Sequence, residues 1–69
     1  MSNVILTQLQ QNIAQQDYDA AKNLMPLLNG LFPHQAEANN VLHHLQELLD
    51  EHDPKSQQLV NDLKNILVG

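Results

Sequence analysis

The sequence contains no cysteine, no arginine and no tryptophan. Without cysteine, disulfides and thiolate zinc sites are excluded, and a reducing compartment such as the cytoplasm is the expected location. Without arginine, the only cationic side chains besides histidine are Lys22, Lys55 and Lys64, set against eight acids for a formal net charge of −5. Nucleic-acid binders use a basic patch to replace the counterions around phosphates. Three dispersed lysines cannot form one, so no nucleic-acid partner is expected. The same deficit disfavours an anionic membrane surface. Aromatic residues are limited to Tyr18 and Phe32, which removes the stacking platforms that single-stranded bases need. Gly30 and Gly69 are the only glycines, so there is no glycine-rich phosphate loop. Nowhere do about 18 apolar residues run together, as a membrane span requires. The start, Met1-Ser2-Asn3-Val4-Ile5-Leu6, has no basic region and no long apolar core, and does not read as a secretory signal.

What remains is leucine, thirteen of the 69 residues. Leucine favours helix, and strand formers are sparse, so the expected fold is an all-α bundle of three to four antiparallel helices in one domain over residues 1–69. A first helix is expected from about Asn3 to Gln16. Leu6, Leu9 and Ile13 recur at helical spacing, with Ile5 and Ala14 beside them. Its other face, Gln8, Gln10, Gln11, Asn12 and Gln15, reads as solvated. Asp17 or Asp19 can cap a second helix with the stripe Ala20, Ala21, Leu24, Leu27, Leu28 and Leu31. Pro26 lies inside that stripe and predicts a kink or local break, leaving the carbonyl of Lys22 without its usual partner. Asn29-Gly30 offers a stop, and Phe32-Pro33 a turn.

A third helix follows, with Pro33 near its first turn and a sustained stripe of Ala38, Val41, Leu42, Leu45, Leu48 and Leu49. Asp53-Pro54 ends it and opens a fourth, with Asp53 as cap, Pro54 at the first position, and Gly69 as its close. Leu59, Val60, Leu63, Ile66 and Leu67 are its apolar positions. The second helix is expected to pack on the third through Leu24, Leu28, Leu42 and Leu45. The fourth folds back through Leu63 and Leu67.

Chemistry finds little purchase. His43, Glu47 and Asp50 share one helical face, as do His44, Glu47 and Glu51, but neither a His-Glu-x-x-His nor a Glu-x-x-His pattern is present. A solvated face is the simpler reading, and no metal or other cofactor is expected. His34 reads as a loop residue. The only side-chain hydroxyls besides Tyr18 are Ser2, Thr7 and Ser56. Ser2 and Ser56 fall where helix starts need caps, which explains them without nucleophilic catalysis. Three or four short helices hardly enclose a pocket of several hundred Å³, so neither an enzyme nor a small-molecule substrate is expected.

A chain of this size buries only about 60% of its unfolded surface and has little body to cover four apolar stripes. Some of that surface is therefore expected to face another chain. A bend at Pro26 would splay the second helix and open a groove edged by Leu24, Leu27, Leu31 and Phe32, and lined opposite by Val41 and Leu45. These six are the candidate partner-binding residues. The leading expectation is a chaperone-like adaptor that shields an amphipathic segment of a partner protein. The alternative is a self-associating protein, a homodimer for example, with a structural or regulatory role and no separate ligand.

Two family resemblances bear on this. The stretch Asp17-Tyr18-Asp19-Ala20-Ala21 followed by Leu24, Leu27 and Leu28 resembles the FliT-type flagellar (type III) export chaperones. The later run Leu45-Gln46-Glu47-Leu48-Leu49-Asp50, with Leu59, Leu63 and Leu67, is similar to their closing helices. The middle of the chain also resembles a tetratricopeptide-like helical hairpin, through Asp17-Tyr18-Asp19, Ala21, Pro33, Ala36-Glu37-Ala38 and Leu42. Both resemblances imply a helical fold that binds other proteins.

Overall fold

Apolar spacing, short carboxylate caps and two proline-marked boundaries divide this chain into helices joined by turns too short for any crossing connection. In the computed structural model, which describes residues 3–32 and 34–68, these are α1 (Asn3–Ala14), α2 (Tyr18–Asn23), α3 (Met25–Asn29), α4 (Ala36–Asp50) and α5 (Ser56–Val68). The fold is a small all-α bundle. Ser2, Pro33 and Gly69, which the sequence assigns to a cap, a first turn and a helix end, lie outside the described residues.

The core is built from the predicted stripes. Leu6, Leu9 and Ile13 of α1 meet Ala21 of α2, Met25 and Leu28 of α3, Leu42, Leu45 and Leu49 of α4, and Val60 and Leu63 of α5. The helices α4 and α5 pack side by side, and α1 lies along α5; α2 and α3 pack on both α1 and α4. Of the pairing residues expected from sequence, Leu28, Leu42, Leu45 and Leu63 are buried. Leu24 and Leu67 are half-buried against them.

Two helix ends use the same device. At the end of α1, the N–H of Gln16 donates to the carbonyl of Ile13 at 2.9 Å, and the N–H of Asp17 to that of Asn12 at 2.8 Å. At the end of α4, the N–H of His52 donates to Leu49 at 3.1 Å and that of Asp53 to Leu48 at 2.9 Å. Both are Schellman motifs, in which the residue after the last turn goes left-handed and its successor reaches back to an orphan carbonyl. The left-handed residues are Gln16 (φ 61°) and His52 (φ 55°), neither of them glycine. The first helix therefore stops two residues short of the expected Gln16. Each motif delivers an aspartate to the next helix. Asp17 Oδ1 accepts from the N–H of Ala20 at 3.3 Å, and Asp53 Oδ1 accepts from the N–H of Lys55 at 2.9 Å.

Pro54 and Lys55 form a turn ahead of α5 rather than its first α-helical residues. The N–H groups of Gln57 and Gln58 bond three residues back, to Pro54 and Lys55, as in a tight 3₁₀ lead-in. Ser56 is fully buried, and its hydroxyl donates to the carbonyl of Asp53 at 2.8 Å.

A left-handed conformation costs an ordinary residue about 1–2 kcal/mol. Gln16 is exposed, so little burial offsets this. The variant Gln16→Gly is therefore expected to raise stability by about 0.5 kcal/mol, after glycine's greater loss of chain entropy is subtracted. A rise in urea midpoint at unchanged slope is the expected readout. His52→Gly should gain less, because the imidazole stacks on the Tyr18 ring with centroids 4.9 Å apart and planes at 7°.

Of the kink or local break expected at Pro26, the junction is the break. The helix breaks at Leu24, and Pro26 occupies the second position of the new helix α3. First-turn N–H groups have no intrahelical acceptor, so proline removes nothing there. The carbonyls of Ala21 and Lys22 accept backbone N–H groups at the junction, so the Lys22 carbonyl is not orphaned as expected. The sign of one mutation reverses accordingly. At a site proline already fits, it restricts the unfolded chain. Pro26→Ala is expected to lower stability by about 0.5 kcal/mol, whereas an interior kink would make the same change stabilising. A denaturation midpoint separates the two.

Candidate partner-binding surface

The short turns after α1 and α4 place two Schellman motifs at one end of the bundle, where Tyr18 and His52 stack. This end is polar. Asp17, Asp19, Asp50, Glu51 and Asp53 gather there, and Lys22 Nζ stands 3.8 Å from Asp19 and 3.7 Å from Asp50, tying α2 to α4. With the acids largely exposed, these pairs contribute well under 1 kcal/mol each. Their effect is to leave this pole hydrated and charged.

The opposite end holds the start of α1, the end of α3, the start of α4 and the end of α5. Here the apolar side chains are least covered. Val4 is 67% exposed and Leu27 55%, while Ile5, Leu31, Val41, Ile66 and Leu67 are half-buried. A scattered exposed leucine needs no explanation, but neighbouring apolar groups on one end of a small protein do.

The six residues named from sequence separate into two groups. Leu24, Leu27, Leu31 and Val41 reach the surface wholly or in part. Phe32 and Leu45 are fully buried and point into the core, so they are not groove walls. The reason is the break at Leu24. A kinked continuous helix would have splayed outward, whereas two short helices turn independently, and each lays its own stripe inward. Of the two grooves lined by described residues, neither gathers the six, and Val41 alone of them lines one.

The larger groove, about 480 Å³, runs between α4 and α5 and is lined by Glu37, Val41, Asp62, Asn65 and Ile66. The smaller, about 230 Å³, lies between α3 and α4 over Met25 and Leu42, rimmed by Asn29, Asn39, His43 and Gln46. Sequence reading expected Val41 in an exposed groove, but opposite Leu24 and Leu27 rather than beside α5, and took Ile66 only as a stripe residue. Glu37 and Asp62 carried no signal of their own, being ordinary helix-surface acids.

The glutamine-rich face of α1 is not wholly solvated either. Asn12 is buried and accepts from Gln8 Nε2 at 3.1 Å. Gln57 Nε2 donates to the carbonyl of Gln10 at 2.9 Å, and Gln10 Nε2 to Asn61 Oδ1 at 2.8 Å, which fastens α1 to α5. On α4, His43 Nε2 approaches Glu47 at 3.6 Å, both largely exposed, while His44 stays in solvent. Among the described residues, no three His, Cys, Asp or Glu side chains converge as metal ligands. No described helix is long and apolar enough to cross a membrane.

Neither family models nor curated proteins nor solved structures show a match to this chain.

Proposed function

We propose that this chain is a non-enzymatic adaptor of the cytoplasm that covers an amphipathic segment of a partner protein, in the manner of a small export chaperone. One observation carries the reading: Leu27 is 55% exposed, and half-buried Leu24 and Leu31 lie on the same short α2–α3 segment. These side chains remain wholly or partly uncovered although Ala21 and Leu28 of the same stripe are in the core. Amphipathic helices dock on such surfaces through anchors at spacings of three and four residues. The resemblance of the segment from Asp17 to Leu28 to FliT-type export chaperones supports the same class of partner. The absence of cysteine agrees with a reducing location.

The test is a titration of the isotope-labelled protein with a neutral 15-residue helical peptide, leucine on one face and glutamine on the other. Saturable amide shifts at one-to-one stoichiometry are expected, with a monomer by sedimentation beforehand. A protein that sediments as a dimer and that Leu27→Asp converts to monomer would instead establish self-association.

A further inference from the structure

We infer that the α4–α5 groove selects a positively charged amphipathic helix, with two cations spaced about seven residues apart around a pair of large apolar anchors. This rests on the adaptor reading but goes beyond its α2–α3 surface, seating a partner helix in a second place and giving it a chemistry.

The argument starts from helix direction. The five-residue turn 51–55 makes α4 and α5 antiparallel, so residue numbers run in opposite senses along the groove. Glu37 and Val41 are one turn apart on α4, and Asp62 and Ile66 one turn apart on α5. The beginning of α4 faces the end of α5. Val41 therefore sits level with Asn65 and Ile66, Glu37 lies outward of them, and Asp62 lies inward. The groove reads along its length as acid, then Val41 and Ile66 beside the polar Asn65, then acid.

Each four-residue step spans about 6 Å along a helix axis, so the two carboxylates are about 12 Å apart along the groove. A pair at i and i+7 on one face of a docked helix spans about 10.5 Å, close enough to that distance for long cationic side chains to reach both carboxylates. Its large apolar residues at i+3 and i+4 fall between them, against Val41 and Ile66.

Charge favours this occupant over a second copy. Among the described residues, no lysine or histidine stands within ion-pair distance of Glu37 or Asp62. Among the described residues, the Asp62 carboxylate accepts a long 3.4 Å contact from Gln58 Nε2. No described cation neutralises these carboxylates, and two copies of a chain of net charge −5 repel each other. A mostly polar groove that sets Val41 and Ile66 between acidic ends gains orientation as well as attraction from a complementary helix.

The experiment compares three 15-residue helical peptides that share the leucine face: one with lysine at i and i+7 beside it, one with glutamate there, and the neutral one. Amide shifts on the labelled full chain report where each binds. The expected result is that the lysine peptide binds at least tenfold more tightly than the glutamate peptide, with the largest shifts at Glu37, Val41, Asp62 and Ile66. The double variant Glu37→Lys, Asp62→Lys should keep its helical spectrum and reverse the preference. Raising the salt should weaken the lysine peptide and leave the neutral one nearly unchanged.

Equal binding of the three peptides, or shifts centred on Leu24, Leu27 and Leu31, would overturn the charged-groove inference and leave the adaptor reading standing. A monomer that binds none of the three removes both, and so does a dimer that buries the groove.

Discussion

Phe32→Ala is expected to leave this protein largely unfolded at room temperature. Phe32 is the largest fully buried side chain, placed just beyond α3 where the chain turns toward α4. Deleting a buried phenyl ring loses its transfer free energy and leaves a cavity the surroundings fill only in part, at a cost of about 3–5 kcal/mol. A chain of this size has roughly 3–10 kcal/mol in total, at the usual stability per residue. The variant should therefore lose most of its helical circular dichroism signal or melt far below the parent. Leu27→Ala is the matched control. With 55% of its surface already in water, Leu27 should cost under about 1 kcal/mol. The sequence places both residues in the same candidate groove. A Phe32→Ala protein as stable as Leu27→Ala would show that Phe32 faces solvent.

Ala21→Leu is expected to cost about 1–3 kcal/mol, although leucine is as good a helix former and more apolar. Ala21 has no exposed surface, and α2 packs on both α1 and α4. Three added carbons have no space there and must push neighbours off their rotamers or move α2 as a body. A moved α2 would also disturb the Lys22–Asp50 pair and the Tyr18–His52 stack. Ala14→Leu, at the exposed end of α1, should shift stability by no more than about 0.5 kcal/mol. Urea midpoints of the two variants measure the contrast. Equal midpoints would mean that α2 stands farther from α4 than its buried face implies.

The prospective binding surface depends on the same two sites. Overpacking at Ala21 acts on α2 and leaves the α4–α5 hairpin intact, whereas loss of Phe32 loosens the apolar end against which Val41 and Ile66 are set. Reduced peptide binding in Phe32→Ala would thus report lost fold, which is why the charge variants at Glu37 and Asp62 are the cleaner probes of recognition.

Much of the architecture follows from local rules. Apolar residues at intervals of three and four marked the inward stripes of α1, α4 and α5, because a helix repeats every 3.6 residues and one face must leave water. Asp17 and Asp53 announced helix starts, because a short carboxylate caps free N–H groups wherever it precedes a helical run. The shortage of β-branched and aromatic residues determined the class.

Tertiary structure decided the rest. A stripe residue does not disclose how deep it lies, so Phe32 and Leu45 read the same as Leu27 until neighbouring helices covered two of them and left the third. Pro26 carries the same restriction in a kink or at a helix start, and the choice fell to α2 and α3 each turning its own face to the core. Gln16 and His52 gave no glycine signal for a left-handed turn, because the closing hydrogen bonds and the next helix's cap together outweigh the local cost. The line of Glu37, Val41, Ile66 and Asp62 spans two helices far apart in the chain. It exists only because α4 and α5 run antiparallel and side by side, and no periodicity within either helix encodes what stands across from it.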